Sequence, residues 1–142
     1  MGECAFCGIA NKTVSAVIIW EDSDIMAFLD RRPIRRGHCQ IIPKQHVETF
    51  EQMSPTLAGK VVGLGQRLAQ RMKAVYKVDR VAFLFTGGDV PHAHAHVVPM
   101  HEKTDITSAR YILSPENIKL GSSHLQIDLE SLFLVKKELG FE

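Results

Sequence analysis

A chain of 142 residues can build one domain with a real core, but not two of ordinary size. Hydrophobic residues make up 45% and charged residues 23%, the balance of a soluble globular protein. Seventeen Lys and Arg against 16 Asp and Glu leave a formal net charge of +1, which excludes bulk electrostatic attachment to nucleic acid or to a membrane surface. Met1-Gly2-Glu3-Cys4 has no basic stretch leading into an apolar run, so no signal peptide is expected. No apolar segment approaches the roughly 18 residues of a membrane span. Phe6 stands where a myristoylation signal needs Ser or Thr. Cys4, Cys7 and Cys39 are too few and odd in number for a secreted disulfide framework, so a cytoplasmic location is expected. In that setting a Cys-x-x-Cys pair more often serves metal or redox chemistry.

The first third of the chain reads as strands. Ala16 to Trp20 and Ile25 to Leu29 are short apolar runs around Glu21-Asp22-Ser23-Asp24, a hairpin turn, and Arg31 to Gly37 is a polar, Pro-containing loop. A third strand covers about Cys39 to Ile42 and stops at Pro43. A long helix then follows, with Ser54 as N-cap and Pro55 at its first position. Leu57, Val61, Leu64, Leu68, Met72 and Val75 give it one apolar stripe, which must cover a sheet face. Gly59, Gly63 and Gly65 weaken its propensity, so packing must hold it. Val81 to Phe85 is a buried strand, Thr86 to Asp89 a turn, and His92 to Pro99 the returning strand. In the tail, Ser114-Pro115 opens a short helix, and a second helix runs from about Leu125 to Leu139, stopped by Gly140. Strands, helix, strands and helices in that order give an α+β fold rather than alternating βαβ units.

The chemistry concentrates in His92-Ala93-His94-Ala95-His96. Side chains two apart on a strand share a face, with Cα atoms roughly 6.5–7 Å apart. The three imidazoles would line one surface, while Ala93, Ala95 and Val97 face an interior closed by something large, such as the long helix. Imidazole can attack phosphorus, hold it as a phosphoramidate and yield it to water. A second, protonated imidazole can stabilise the phosphoryl oxygens or the leaving group. Spacing alone also admits a metal-chelating tract or a polar edge strand.

His92 to Val98 matches the alternation His-φ-His-φ-His-φ-φ, with φ apolar, and so resembles the histidine triad (HIT) family. Cys4-Ala5-Phe6-Cys7, Trp20-Glu21-Asp22, Ala27-Phe28-Leu29-Asp30, Pro33, Gly37-His38 and Ile42-Pro43-Lys44-Gln45-His46 also fall where that family has them. The likeness covers about residues 1–100 and leaves 101–142 as a C-terminal extension of a single domain spanning 1–142. It implies a HIT-like fold, an antiparallel sheet of about five strands with one long helix packed on it, and a helical tail. It further implies a homodimer, with the extension a candidate for the interface.

Residue by residue, the resemblance implies that His94 is the nucleophile and takes the α-phosphoryl group as a nucleotidyl-histidine. His96 would hydrogen-bond phosphate oxygens, and the Gly87-Gly88-Asp89 turn would face the phosphate and the leaving group. Asp30 would take the ribose hydroxyls, and Phe6, Ile9, Val14 and Phe28 would line an apolar slot for a purine base, with ordinary core the lesser alternative for Ile9 and Phe28. Some family members hold structural zinc on two N-terminal Cys, the His after the Pro-Lys motif and the first triad His. Cys4, Cys7, His46 and His92 supply that set, and no organic cofactor is implied. His38 and His101 are expected to be non-catalytic, His38 having a hydrogen-bonded structural role.

The chain departs from the family in three places. Many relatives carry Gly-Gln-Ser or Gly-Gln-Thr before the triad, whereas Asp89 here offers a carboxylate in place of the hydroxyl. Four arginines stand in Arg31-Arg32-Pro33-Ile34-Arg35-Arg36, and either one or two of them reach a β- or γ-phosphate, with Arg35 and Arg36 the pair to test, or the loop is solvated. The third departure is the long tail. The preferred function is hydrolysis or nucleotidyl transfer at the α-phosphorus of a purine nucleotide derivative. The alternatives are a dinucleoside polyphosphate hydrolase, a nucleotide sensor or scaffold with little turnover, and, more weakly, a zinc metallohydrolase.

Overall fold

A computed structural model of the chain describes residues 4–86, 89–106, 112–114, 119–120 and 122–141. The fold is α+β. Helix α1 (Ala5–Ala10) leads into β1 (Ile18–Glu21), β2 (Ile25–Leu29) and β3 (Cys39–Pro43). Helix α2 (Pro55–Tyr76) is followed by β4 (Arg80–Phe85) and β5 (Ala95–Met100), then by the short pair β6 (Ile112–Ser114) and β7 (Lys119–Leu120), and by α3 (Leu129–Leu139). The main sheet is five-stranded and antiparallel, in the order β1-β2-β3-β5-β4. No described helix is long and apolar enough to cross a membrane.

The turn between β1 and β2 closes on itself, since Asp22 Oδ1 accepts from the N–H groups of Asp24 and Ile25 at 2.8 and 2.9 Å. Ser54 caps α2 by accepting from the Leu57 N–H at 3.1 Å, and Lys77 ends it in the left-handed region at φ 55°. The apolar stripe faces the sheet: Val61, Leu64, Leu68 and Met72 are buried against Ala27, Ile41, Ala95 and Val97. Gly65 has a packing reason, because a Cβ there would stand 2.4 Å from the Phe83 ring. The small residues Ala93 and Ala95 do lie under α2, in the same cluster.

Strand alternation separates two cores. Ile25, Ala27, Leu29, Cys39, Ile41, Ala95 and Val97 face the long helix, and Met26, Phe28 and Ile42 face α1, with Phe6 and Ile9 above them. The second face carries the candidate site.

Four expectations change. Strand β4, expected to be buried, is an outer strand and only half-buried, with Arg80 exposed. The N-terminus is helical rather than strand-like, with Cys4 as a weak cap accepting from the Cys7 N–H at 3.4 Å. Helix α3 begins at Leu129, not Leu125, because Asp128 caps it by accepting from the Ser131 N–H at 2.8 Å, and Gly140 ends it at φ 52° as expected. Ser114 closes β6 rather than opening a helix, and Pro115 lies outside the described residues. Helix α3 buries Leu132, Val135 and Leu139 in the main core, so this part of the extension is packed within its own chain.

Candidate functional site

The histidine run is only partly a strand. Ladder pairing starts at Ala95, and His92 to His94 form the approach to it, pinned by the His92 N–H to the Val90 carbonyl (2.8 Å) and the Ala93 N–H to the Val47 carbonyl (2.7 Å). The three imidazoles still share one surface, with His94 and His96 ring centres 5.1 Å apart.

Hydrogen bonds to groups that can only accept, or only donate, fix where each ring carries its proton. His94 is 5% exposed, and its Nδ1–H donates to the His92 carbonyl at 2.7 Å. The lone pair is therefore on Nε2. His92 is reversed: Nε2–H donates to the Pro43 carbonyl at 2.8 Å, leaving its lone pair on Nδ1. Burial, reinforced by His46 and His94, pushes His92 down from its ordinary pKa despite the Pro43 contact, so that lone pair stays available.

His38 and His96 form a relay. The Ile34 N–H donates to His38 Nδ1 at 3.0 Å, so His38 Nε2–H must donate to His96 Nδ1 at 2.8 Å. His96 is then left with its proton on Nε2. Burial, with His38 and His94 adding to it, pushes His96 down to about 3, and burial lowers His38 against the pull of Asp30. His96 is thus a neutral donor of fixed tautomer, where the spacing had suggested a protonated imidazole. His38 is hydrogen-bonded through both ring nitrogens, and its Nε2–H fixes the orientation of the His96 ring.

This arrangement has a pH signature. An unfolded histidine takes a proton below about 6.5, while His38 and His96 in the folded state resist it. Folding stability contributed by the pair is complete above pH 6.5 and is lost as pH falls toward the folded-state values. Each histidine can add up to about 1.4 kcal/mol per pH unit to the slope. Urea unfolding of wild type between pH 6 and 4 should therefore show a steeper loss than His96→Asn. Parallel curves would mean that the pair is already charged in the folded protein.

A cleft of about 370 Å³ opens beside the triad, and Phe6, Ile9 and Phe28 line its apolar part. The Phe6 ring meets Phe28 edge-on at 5.6 Å and His94 at 5.0 Å, which joins the cleft to the triad. Val14 does not line the cleft; it is 43% exposed and packs against Gly8. Asp30 lines the polar side, with Oδ1 accepting from the Arg32 N–H and Oδ2 from Gln40 Nε2, both at 2.8 Å. Asp89 is exposed, and Gly87 and Gly88 lie outside the described residues.

The arginine loop divides. Arg35 does not turn toward the cleft. Its Nε donates to Asp105 Oδ2 and its guanidinium meets Oδ1, each at 2.8 Å, and the Asp105 side chain is completely buried. Arg36 pairs with Glu138 of α3, which also accepts from the Tyr76 hydroxyl at 3.2 Å. Both cations serve carboxylates of the tail because the chain folds α3 and the segment after β5 against this loop. Arg31 and Arg32, both exposed, are the arginines that line the cleft. Gln40, the polar residue inside the otherwise apolar β3, also lines the cleft.

Cys4, Cys7, His46 and His92 converge, with all four donor atoms within 4.8 Å of one another. Cys7 Sγ is 3.2 Å from His46 Nδ1 and 3.5 Å from His92 Nδ1, and Cys4 Sγ is 3.4 Å from His92 Nδ1. Tetrahedral zinc with ordinary Zn–S and Zn–N bonds needs edges of about 3.6 Å, so the donors already stand near ligand spacing. Partial burial and the adjacent Cys4 push the Cys7 thiol up from its ordinary value.

Comparison with known proteins agrees with this geometry. The chain is 31% identical over 112 residues to an uncharacterised HIT-like protein of Mycobacterium tuberculosis, an alignment covering 75% of this chain and 78% of that protein. It is 31% identical over 104 residues to another from Methanocaldococcus jannaschii, covering 70% and 80%. Among solved structures, a Zn-bound histidine triad family protein from Mycobacterium smegmatis superposes with a TM-score of 0.71 at 27% identity, covering 97% of this chain and 94% of that one. A hypothetical histidine triad nucleotide-binding protein from Sulfolobus tokodaii gives 0.74 at 25% identity, covering 96% and 89%. The HIT domain itself matches residues 11–103, and with the triad, the sheet and these relatives in agreement, the chain belongs to the histidine triad family.

Proposed function

We propose that the protein cleaves a purine nucleotide derivative at the α-phosphorus through a covalent intermediate on His94. Family membership supports a nucleotide-binding or hydrolase-type role, and the observation that carries the finer reading is the His94 tautomer. With Nδ1–H committed to the His92 carbonyl, Nε2 keeps a lone pair on a ring 5.0 Å from Phe6 of the cleft wall, beside a neutral N–H donor on His96.

In the first step the Nε2 lone pair forms a bond to phosphorus, and the bond from phosphorus to the leaving group breaks with its electron pair. His96 Nε2–H bonds a non-bridging oxygen as charge builds there. In the second step water attacks phosphorus, loses a proton to solvent, and the P–N bond returns its pair to Nε2. Asp89 offers no neutral hydroxyl to the leaving group. Leaving groups stable as anions are therefore favoured over alkoxides and amines. A dinucleoside polyphosphate fits that preference, with Arg31 and Arg32 as the cations nearest the cleft. Asp89 also sustains the second reading, a nucleotide sensor with little turnover.

The Cys4, Cys7, His46 and His92 set fits zinc. Four protein donors close a tetrahedral shell, so an ion there would brace α1 against the triad rather than meet substrate. His92 then acts through position alone: its carbonyl sets the His94 tautomer. Stripping metal with a chelator should lower the thermal midpoint by roughly 10 °C and reduce activity in parallel with unfolding. Immediate loss of turnover from a protein still folded would instead make the metal catalytic. The same reading places the protein in the cytoplasm as a homodimer, with the sheets of two subunits continuing across the outer strand β4.

A further inference from the structure

We propose that Arg31 and Arg32 take a phosphate carried on the sugar, so that the cleft favours nucleotides phosphorylated at the 2′ or 3′ oxygen as well as at the 5′ oxygen; this rests on the nucleotide reading above. The four arginines of the loop differ in what they meet. Arg35 and Arg36 are engaged by Asp105 and Glu138. Arg31 and Arg32 are exposed, line the cleft, and form no ion pair among the described residues. Their backbone is pinned even so. The Arg31 carbonyl accepts from the Ile127 N–H at 3.2 Å, and the Arg32 N–H donates to Asp30 Oδ1 at 2.8 Å. Two guanidinium forks on a fixed stretch of backbone, lining one cleft, suit the oxygens of a phosphate.

Strand order decides which phosphate they meet. Phe28 pairs with Gln40, and Gln40 with His96, so Phe28 and His96 stand about 10 Å apart across β3 at the ordinary strand spacing. With the base against Phe6 and Phe28 and the α-phosphate at His96, the 5′ chain lies toward β5. Arg31 and Arg32 instead continue the chain from the end of β2, on the side of the base and sugar. Asp30, between Phe28 and the two arginines, also lines the cleft. A carboxylate accepts from hydroxyls and repels phosphate, so an anion near this corner must face the guanidinium groups rather than Asp30. A sugar with one vicinal oxygen free and its neighbour phosphorylated meets both demands. Two cations against one carboxylate leave the corner net positive, so Asp30 does not turn the phosphate away.

Titration calorimetry of the full-length protein at low salt tests the assignment, with AMP, adenosine 2′,5′-bisphosphate, adenosine 3′,5′-bisphosphate and ADP as ligands. Wild type should bind at least one of the two bisphosphates roughly tenfold more tightly than AMP, an advantage that shrinks as ionic strength rises. In the double variant Arg31→Gln with Arg32→Gln, that ratio should fall to about twofold or less. Wild-type affinity for both bisphosphates no greater than for AMP overturns the proposal, and needs no variant to fold. An advantage that survives in the double variant also overturns it. A gain for ADP over AMP that the double variant loses, with none for either bisphosphate, gives the two arginines to the 5′ chain and overturns it too. No binding of any of the four overturns the nucleotide reading as well, which separates the two failures.

Discussion

Replacing His94 with asparagine is expected to lower turnover of an adenylate ester on the order of 10⁴-fold, while AMP affinity stays within about threefold. Asparagine can keep a donor near the His92 carbonyl and fills similar space, so Phe6 and His96 retain their neighbour. What it lacks is a nitrogen lone pair able to bond phosphorus. A fall in kcat with little change in binding is the pattern of a group acting in the chemical step. A variant that loses affinity as steeply as turnover would instead make His94 a binding residue. His38→Ala should behave differently, because it frees the His96 ring rather than removing the attacking atom. Its loss should be smaller and partly recovered by His38→Gln, whose amide can still donate.

Arg35→Ala is expected to destabilise the fold by about 3 kcal/mol in urea unfolding, without distinguishing short from long substrates. Asp105 is fully buried. Against the upward pull of burial, Arg35 and the N–H groups of Glu102 and His101 hold its carboxyl below the usual range. Removing the guanidinium takes from that buried charge the cation that Arg35 supplies. Arg36→Ala should cost less than about 1 kcal/mol, because its pair with Glu138 is 43% and 35% exposed. Unchanged stability in Arg35→Ala, together with a selective loss on dinucleoside polyphosphates, would return Arg35 to the phosphate-binding role that its charge first suggests.

The two arginines show where the sequence stops being informative. A charge run states what can be paired, but the partners lie 70 and 102 residues away in the tail, where resemblance to the family fades. Helix α2 was legible because its stripe and cap are local, and the glycine on its buried face, Gly65, packs closely against Phe83. Helix α1 was not, since six residues with a cysteine cap carry little periodicity. The triad was recognisable as a motif, yet His92 and His94 precede the ladder, and the tautomers depend on carbonyls and neighbours that no spacing reveals. The four donors at Cys4, Cys7, His46 and His92 do converge as the family pattern implied.

The central claim is a bond between His94 and phosphorus. The most direct measurement is intact-mass spectrometry of the protein quenched rapidly after mixing with an activated adenylate, comparing wild type with His94→Asn. The account predicts a transient gain of one adenylyl group on wild type and none on the variant. Absence of both adduct and turnover in a wild-type protein that still binds AMP would contradict covalent catalysis and leave a nucleotide sensor.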